Sequence, residues 1–558
     1  MPSWKPVETI PTLAIALDSQ TVDLLKKLAA HFPVKAPTRK ADLIELIVAY
    51  MEGKELAKRW AELDGLQQTA ITEVVHSASS QYQAEQFVAK YGRQPNWGTG
   101  RAGYHEYKPS KLHLFFCNGI LPEDLKTRLK AFVPKPIEVK TKSVSTVPDC
   151  FPLQVHEYDA DSKRYIKVTQ EIPIRQRPTE LAASQELQTV LRLIQAGKVA
   201  VSDKTRYPGA ATIKAIAAVL QGGDYYSPED ESTEQYAQKI GDIKPFAWCL
   251  LVQAGGLAEL SGKKLQLTKA GLKALTSPSA ETLRNIWRKW LKTTLIDEFR
   301  RIDEIKGQTG KGARSLTAVS GRRAAIAKAL SECPVGKWMA VDDFFRYMKA
   351  KKHNFDVTRD PWSLYICEAG YGALGYEGFG SWAILQGRYA LCLLFEYAAT
   401  LGFIDVAYVP PSGVRADFSD NWGTDELEFL SRYDGLLYFC LNPLGAYGLD
   451  VVSAYTPAPV ESVPILKVMS NLEVAVTGDL MMSDRLVLDL YLENRSDRVW
   501  AFDQEKLLSA IEAGHTVAEL HEFLVAKSSE ALPQPVEQLY RRLHKHHERS
   551  RFVLCFAL

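Results

Sequence analysis

The chain has 558 residues, 46% of them hydrophobic and 24% charged, which is too long for a single hydrophobic core and ordinary for a folded multidomain protein. Its 68 Lys and Arg nearly balance 66 Asp and Glu, for a net charge of +2, so any grip on nucleic acid has to come from local patches. Eight cysteines without a CxxC pair argue against a disulfide framework or zinc site, and no stretch reaches about 18 apolar residues; neither signal peptide nor membrane span is expected, and the expected location is cytoplasmic.

Residues 1–100 read as a helical domain. Leu24, Leu25 and Leu28 make one face of a short helix, His31 to Pro37 is a break, and Thr38 is the predicted cap of a second helix with Leu43, Ile44 and Ile47 at helical spacing. Two short helices around a basic break resemble the SAP motif, a DNA-binding helical hairpin. Lys35, Arg39 and Lys40 sit at the matching turn, where a phosphate would meet cations and unpaired helix N–H groups; a solvated helix pair has the same pattern.

Residues 101–179 read as a mixed α+β linker region, with an apolar Leu112–Phe116 run, an exposed 134–148 stretch and a strand at Tyr165 to Val168. In 180–315 a helix is predicted from Glu180 to Ala196, with Leu181, Leu187, Val190, Leu191 and Ile194 inward. A short strand at Val199 and Val201, a break at Pro208 and a helix from Thr212 to Leu220 follow, flanked by Lys198, Lys204, Arg206 and Lys214. A helix-turn-helix reading brings that last helix near a groove; the alternative is a wet scaffold face. Then FAWCLLVQAGGLAELSGKKLQLTKAG predicts an apolar helix, a glycine turn and a hairpin, with Thr268 capping the next helix. Trp287 and Trp290 on the following helix read as packing residues.

Residues 316–457 read as a second such domain, with helices around Ile326 and from Val341 to Phe345, a glycine-rich aromatic insertion from Asp360 to Trp382, and an apolar helix from Tyr389 to Thr400. YDGLLYFCLNPLGAYGL at 433–449 is expected to repeat the helix, glycine turn and hairpin. Residues 458–558 read as an α/β domain, with strands at Ile465–Val468 and Leu472–Val476, a further alternating strand at Arg485–Leu490, and helices from Gln504, Val517 and Pro535. Arg541, Arg542 and Lys545, among His544, His546 and His547, form the most basic short run. They suit a phosphate surface or, equally, a solvated helix end.

GKVAVSDKTRYPG, the two hairpin-closing phrases and LPQPVEQLYRRL, in this order over residues 180–555, together resemble the bacterial helicase-associated proteins, whose later portion is related to the N-terminal domain of XPB-type helicases. The resemblance implies winged-helix-like units, a C-terminal α/β domain, and association with DNA in processing or anti-phage systems beside a separate helicase, ATPase or nuclease. No motor is present, so unwinding is not implied.

Gly307–Gly312 contains Gly-Lys but has two intervening residues where Walker A needs four, and Gly312 replaces the hydroxyl. Gly370, Gly372 and Gly375 fit G-x-G-x-x-G without a βαβ unit around them. Asp342 and Asp343 are adjacent, so on a helix they point apart. The sequence therefore predicts a mostly helical α+β chain without catalytic, metal or cofactor residues: a DNA-associated accessory protein contacting phosphate, or an adaptor that docks a helicase or nuclease without touching DNA.

Overall fold

Helix formation at the N-terminus follows local signals. Thr21 caps α2 (Val22–Ala29), following α1 (Leu13–Asp18), and Leu25 and Leu28 bury against Leu43 and Ile47 of α3 (Lys40–Tyr50). The second helix begins later than predicted: Arg39, in extended conformation, holds the cap position instead of Thr38 and supplies no side-chain hydrogen bond. Next come α4 (Gly53–Ala61), α5 (Gly65–Val75) with an Asp64–Gln67 capping box, α6 (Ala84–Tyr91), the two-residue strands β1 (Gly98–Thr99) and β2 (Lys108–Pro109), and α7 (Glu123–Leu129).

This computed structural model describes residues 9–100, 107–159, 163–231, 238–307, 314–375, 382–457, 464–512 and 515–542. By contacts the chain forms two units, Met1–Lys142 with Asp342–Asn354, and Ser143–Val341 with Phe355–Leu558. The expected border at residue 100 crosses the core of the first unit. Leu112, Leu114, Phe115, Leu121 and Leu125 share that core with Leu25 and Ile47, because the short helices before residue 100 leave an apolar face to cover.

The second unit starts with a long antiparallel ribbon, β3 (Cys150–Asp159) and β4 (Arg164–Pro173), followed by β5 (Arg175–Arg177). Helix α8 (Glu180–Gln195) buries Ala183, Leu187, Val190, Leu191 and Ile194, whereas Leu181, expected inward, is 49% exposed. Its successors are α9 (Ala210–Ala217), α10 (Lys244–Ala254), β6 (Ala258–Ser261), β7 (Lys264–Leu267), α11 (Lys269–Ala274), α12 (Ser279–Trp290) and β8 (Ile305–Gly307). Next along the chain are α13 (Val319–Ser331), β9 (Trp338–Ala340), α14 (Val341–Ala350), β10 (Leu364–Ile366), and a helical run over 383–398 whose α-helical middle is α15 (Arg388–Cys392). Strands β11 (Ile404–Tyr408) and β12 (Leu436–Leu441) and helix α16 (Pro443–Gly448) complete this stretch.

One element order occurs twice along the chain. Helix α8, residues 199–201, α9, α10 and the β6–β7 hairpin correspond to α13, β9, α14, the 383–398 helix and the β11–β12 pair. In both, the short first strand pairs antiparallel with the last: Ala200 with Lys264, and β9 with β12. The second hairpin differs from expectation. Leu436–Leu441 is a strand, the matching helix lies upstream at 383–398, and 409–435 separate the paired strands.

The C-terminal part has its own core around Leu488, Tyr491, Trp500, Leu520 and Val536. A sheet of order β13 (Leu466–Val468), β14 (Glu473–Val476), β16 (Val499–Ala501), β15 (Glu493–Ser496) carries α17 (Met482–Tyr491), α18 (Gln504–Glu512), α19 (Val517–Lys527) and a helix over 534–542. Residues 485–490, expected as a strand, are helical. Asp484, Val487, Leu488 and Tyr491 are the buried set, a helical spacing that outweighs the alternation of Leu486, Leu488 and Leu490. Among the described residues no helix is long and apolar enough to cross a membrane.

Candidate nucleic-acid interface

At the N-terminal hairpin, Lys35 is exposed in the loop between α2 and α3 and Arg39 is exposed at the start of α3. The first N–H groups of α3 receive no side-chain cap, so a phosphate would find donors beside these cations. Lys40 is engaged elsewhere: its Nζ pairs with Asp18 Oδ1 at 3.3 Å and donates to the Asp18 carbonyl. Asp42 in the first turn further lowers the local positive potential.

In the first repeat, Lys198, Lys204 and Lys214 are exposed, and Arg206 is half-buried in a tight turn with φ of 65°. The fold adds two cations that the sequence reading passed over. Strand 199–201 lies against β7, with Leu265 N donating to Val199 O at 2.9 Å and Val201 N to Lys263 O at 3.1 Å. The pairing sets Lys264 opposite Ala200 and Lys263 opposite Val201, so exposed Lys264 comes nearest Lys198, its Nζ 3.8 Å from where a Cβ on Gly197 would lie, and exposed Lys263 follows at the hairpin turn. The signal in the sequence was the hairpin turn Ser-Gly-Lys-Lys at 261–264; its proximity to Lys198 depends on the strand pairing.

The helices that precede the two hairpins face inward. On α10, Lys244 to Val252 are buried; Lys244 Nζ donates to Glu186 Oε1 at 2.5 Å and Trp248 Nε1 to Glu186 Oε2 at 2.9 Å. Burial pushes the Lys244 ammonium down, opposed by the Glu186 charge. In the 383–398 helix, Arg388 bonds Asp417 and Asp434, Tyr389 donates to Glu298 at 2.6 Å, and Glu396 accepts from Arg301 Nε at 3.0 Å. Burial raises the Glu396 carboxyl against the pull of Arg301. Glu298 also receives Arg323 Nε at 2.6 Å and Trp290 Nε1 at 3.1 Å. Trp287 and Trp290 are buried, as the packing reading expects. Enclosed this way, neither helix presents side chains to a DNA groove. Helix α9, the one a helix-turn-helix reading brought near a groove, does expose Ala210, Ala211, Lys214 and Ala218, a face with one cation.

On the helix over 534–542, Val536 and Tyr540 join the C-terminal core while Arg541 and Arg542 are exposed. Lys545 and His544, His546 and His547 lie outside the described residues, as do residues 308–312 of the Gly-Lys segment. The predicted site residues thus fall into separate groups, and strand pairing adds Lys263 and Lys264 to the one that holds Lys198.

Among the described residues no group of three or more His, Cys, Asp or Glu side chains is arranged to hold a metal. A cleft of about 1020 Å³ is bordered by α8, α12 and α17; along it Tyr455 donates to Glu180 at 2.6 Å and Lys527 to Asp484 at 2.9 Å, while Gln185 Oε1 is buried without a partner among the described residues. Compared with known families and curated proteins, the chain matches no family model and no curated sequence.

Proposed function

We propose that the protein is a non-catalytic, DNA-associated accessory protein that holds the phosphate backbone and reads little sequence. The observation that carries this is the lysine edge of the first repeat, where exposed Lys198 precedes the 199–201 strand and exposed Lys263 and Lys264 lie at the turn and start of the hairpin strand paired with it. Three cations on a strand edge suit phosphates, which lie on a regular path and need no bidentate geometry. On this reading the two repeats are winged-helix units that use the hairpin edge, since the helices before the hairpins are enclosed. The α2–α3 pair is a SAP-like hairpin adding Lys35 and Arg39, and the C-terminal sheet with its helices is an XPB N-terminal-like domain adding Arg541 and Arg542. The chain then belongs with the bacterial helicase-associated proteins and works in the cytoplasm, in DNA processing or anti-phage defence, beside a helicase, ATPase or nuclease that supplies the chemistry.

The test is a salt titration of binding to duplex, forked and single-stranded DNA by the full chain, beside Lys198→Ala/Lys263→Ala/Lys264→Ala. The expected result is salt-sensitive binding that the triple variant weakens on every sequence alike. Unmeasurable binding at low salt, or an unaffected triple variant, would sink the reading.

A second reading is favoured by the enclosure of α10 and the 383–398 helix together with the near-neutral net charge of +2. The repeats then serve as a rigid frame for docking a protein partner, and a stable partner that co-purifies after nuclease treatment is the expected observation.

A further inference from the structure

Two large aromatic side chains of the second unit stand in solvent and touch each other. Tyr371 is 58% exposed and Trp422 51% exposed, and their ring centroids are 4.1 Å apart at 54°. Contiguous exposed aromatics rimmed by polar residues are a common mark of an interaction surface. The pair is also held in place. Gly372 has φ of 69°, and a Cβ there would come within 3.1 Å of Trp422 Cε3, so the glycine lets the indole lie against the 370–372 backbone. On the other side, buried Thr424 donates from Oγ1 to the Asn421 carbonyl at 2.7 Å, and Asn421 N donates to Phe418 O at 3.0 Å, bracing the turn that carries the tryptophan.

The two segments that carry this pair bear charge of one sign. Residues 360–375 and 416–428 contain Asp360, Glu368, Asp417, Asp420, Asp425, Glu426 and Glu428 and not one Lys or Arg. Asp417 is taken by Arg388 at 2.7 Å, and Glu428 accepts from Ser412 at 2.8 Å; Glu368, Asp420, Asp425 and Glu426 are exposed. Of the cations flanking these segments, Lys306 donates to the Cys367 carbonyl and Arg415 to the Leu436 carbonyl, while Arg359 beside Asp360 is exposed.

We infer that this surface docks an arginine-bearing segment of a partner protein. A guanidinium stacks on an indole face and forks its donors onto carboxylates, so one residue type satisfies both halves of the surface. Stacked nucleic-acid bases would use the rings equally well, but their phosphates would meet the carboxylates. The inference deepens the docking reading and rests on it.

The experiment uses the full chain and fluorescence anisotropy with a short labelled peptide alternating arginine and glycine, its glutamate counterpart, and oligothymidylate. Binding of the arginine peptide alone is expected, weakened about tenfold by Trp422→Ala. Asp425→Asn/Glu426→Gln, which changes two exposed side chains, is expected to weaken it too and to flatten its salt dependence. No binding of the arginine peptide, equal binding by Trp422→Ala, or a preference for oligothymidylate overturns the inference. If the peptide fails while a stable partner still co-purifies, this surface is wrong and the docking reading stands.

Discussion

Thr268 and Asn442 hold the same position in two copies of one backbone closure. Thr268 N donates to Leu257 O at 3.0 Å and its Oγ1 to Gly256 O at 2.7 Å; Asn442 N donates to Phe403 O at 3.3 Å and its Nδ2 to Gly402 O at 2.8 Å. Each then caps the next helix, accepting from Gly271 N at 3.1 Å or Gly445 N at 2.9 Å. Both glycines lie so close to the Leu257 or Phe403 carbonyl that a Cβ would overlap it. A hydroxyl and an amide therefore do one job, joining the end of one helix, two strands and the start of the next.

Removing either cap should destabilise the second unit. Thr268→Ala and Asn442→Ala are each expected to cost about 1 kcal/mol. Gly271→Ala and Gly445→Ala should cost more, about 1–3 kcal/mol, because backbone has to move to admit a methyl group. Denaturant unfolding of the four variants checks the order, and equal costs for cap and glycine changes would contradict it.

The Glu298 cluster predicts a larger effect. Glu298 and Arg323 are both 0% exposed, and the carboxylate also receives Tyr389 and Trp290. Arg323→Met leaves a buried carboxylate without its cation and should cost about 3–5 kcal/mol. Unfolding midpoints would measure it, and a cost below about 1 kcal/mol would mean that solvent reaches Glu298.

Acid should weaken the fold through histidines held neutral. Burial lowers His31, His113 and His515 from the ordinary value; His515 Nδ1 lies 2.8 Å from Gln195 Nε2 and accepts from that amide only when unprotonated. The unfolded chain takes up these protons first, so stability is at its plateau above about pH 6.5 and falls as pH drops through that value toward the folded pKa. Urea midpoints across this window should decline, and His515→Gln should make the decline shallower. A midpoint that rises on acidification would reverse the sign and exclude this account.

If the lysine edge contacts duplex phosphate, each lysine lost should reduce the slope of log K against log salt by about 0.9. Single Lys198→Ala, Lys263→Ala and Lys264→Ala variants would each be titrated. A change in affinity with unchanged slope would point to a non-ionic contact.

The amphipathic helices of the first unit and α8 could be read from the sequence because buried residues recur at helical spacing, as Leu25 and Leu28 or Leu187, Val190 and Leu191 do. Thr268 was readable as a cap because a hydroxyl before a helix start is a local signal. Failures came where the pattern was short or two-sided. Residues 485–490 fit both periods, and the apolar run LLYFC at 436–440 fits a buried strand as well as a helix. For the candidate site, Lys198, Lys204 and Lys214 are exposed, as expected of unpaired lysines, but the tie between Lys40 and Asp18 gave no local sign.

By itself the sequence determined where most helices form, how several of them are capped and which loops carry glycine, because these follow from interactions among neighbours along the chain. Only the tertiary structure decided that α10 and the 383–398 helix are enclosed, that the hairpin bearing Lys263 and Lys264 pairs with the strand after Lys198, and that Tyr371 meets Trp422. Those facts depend on burial and strand pairing between distant residues, which no local spacing encodes. The paired closures at Thr268 and Asn442 lie between the two: the phrases were visible, and their equivalence required the fold.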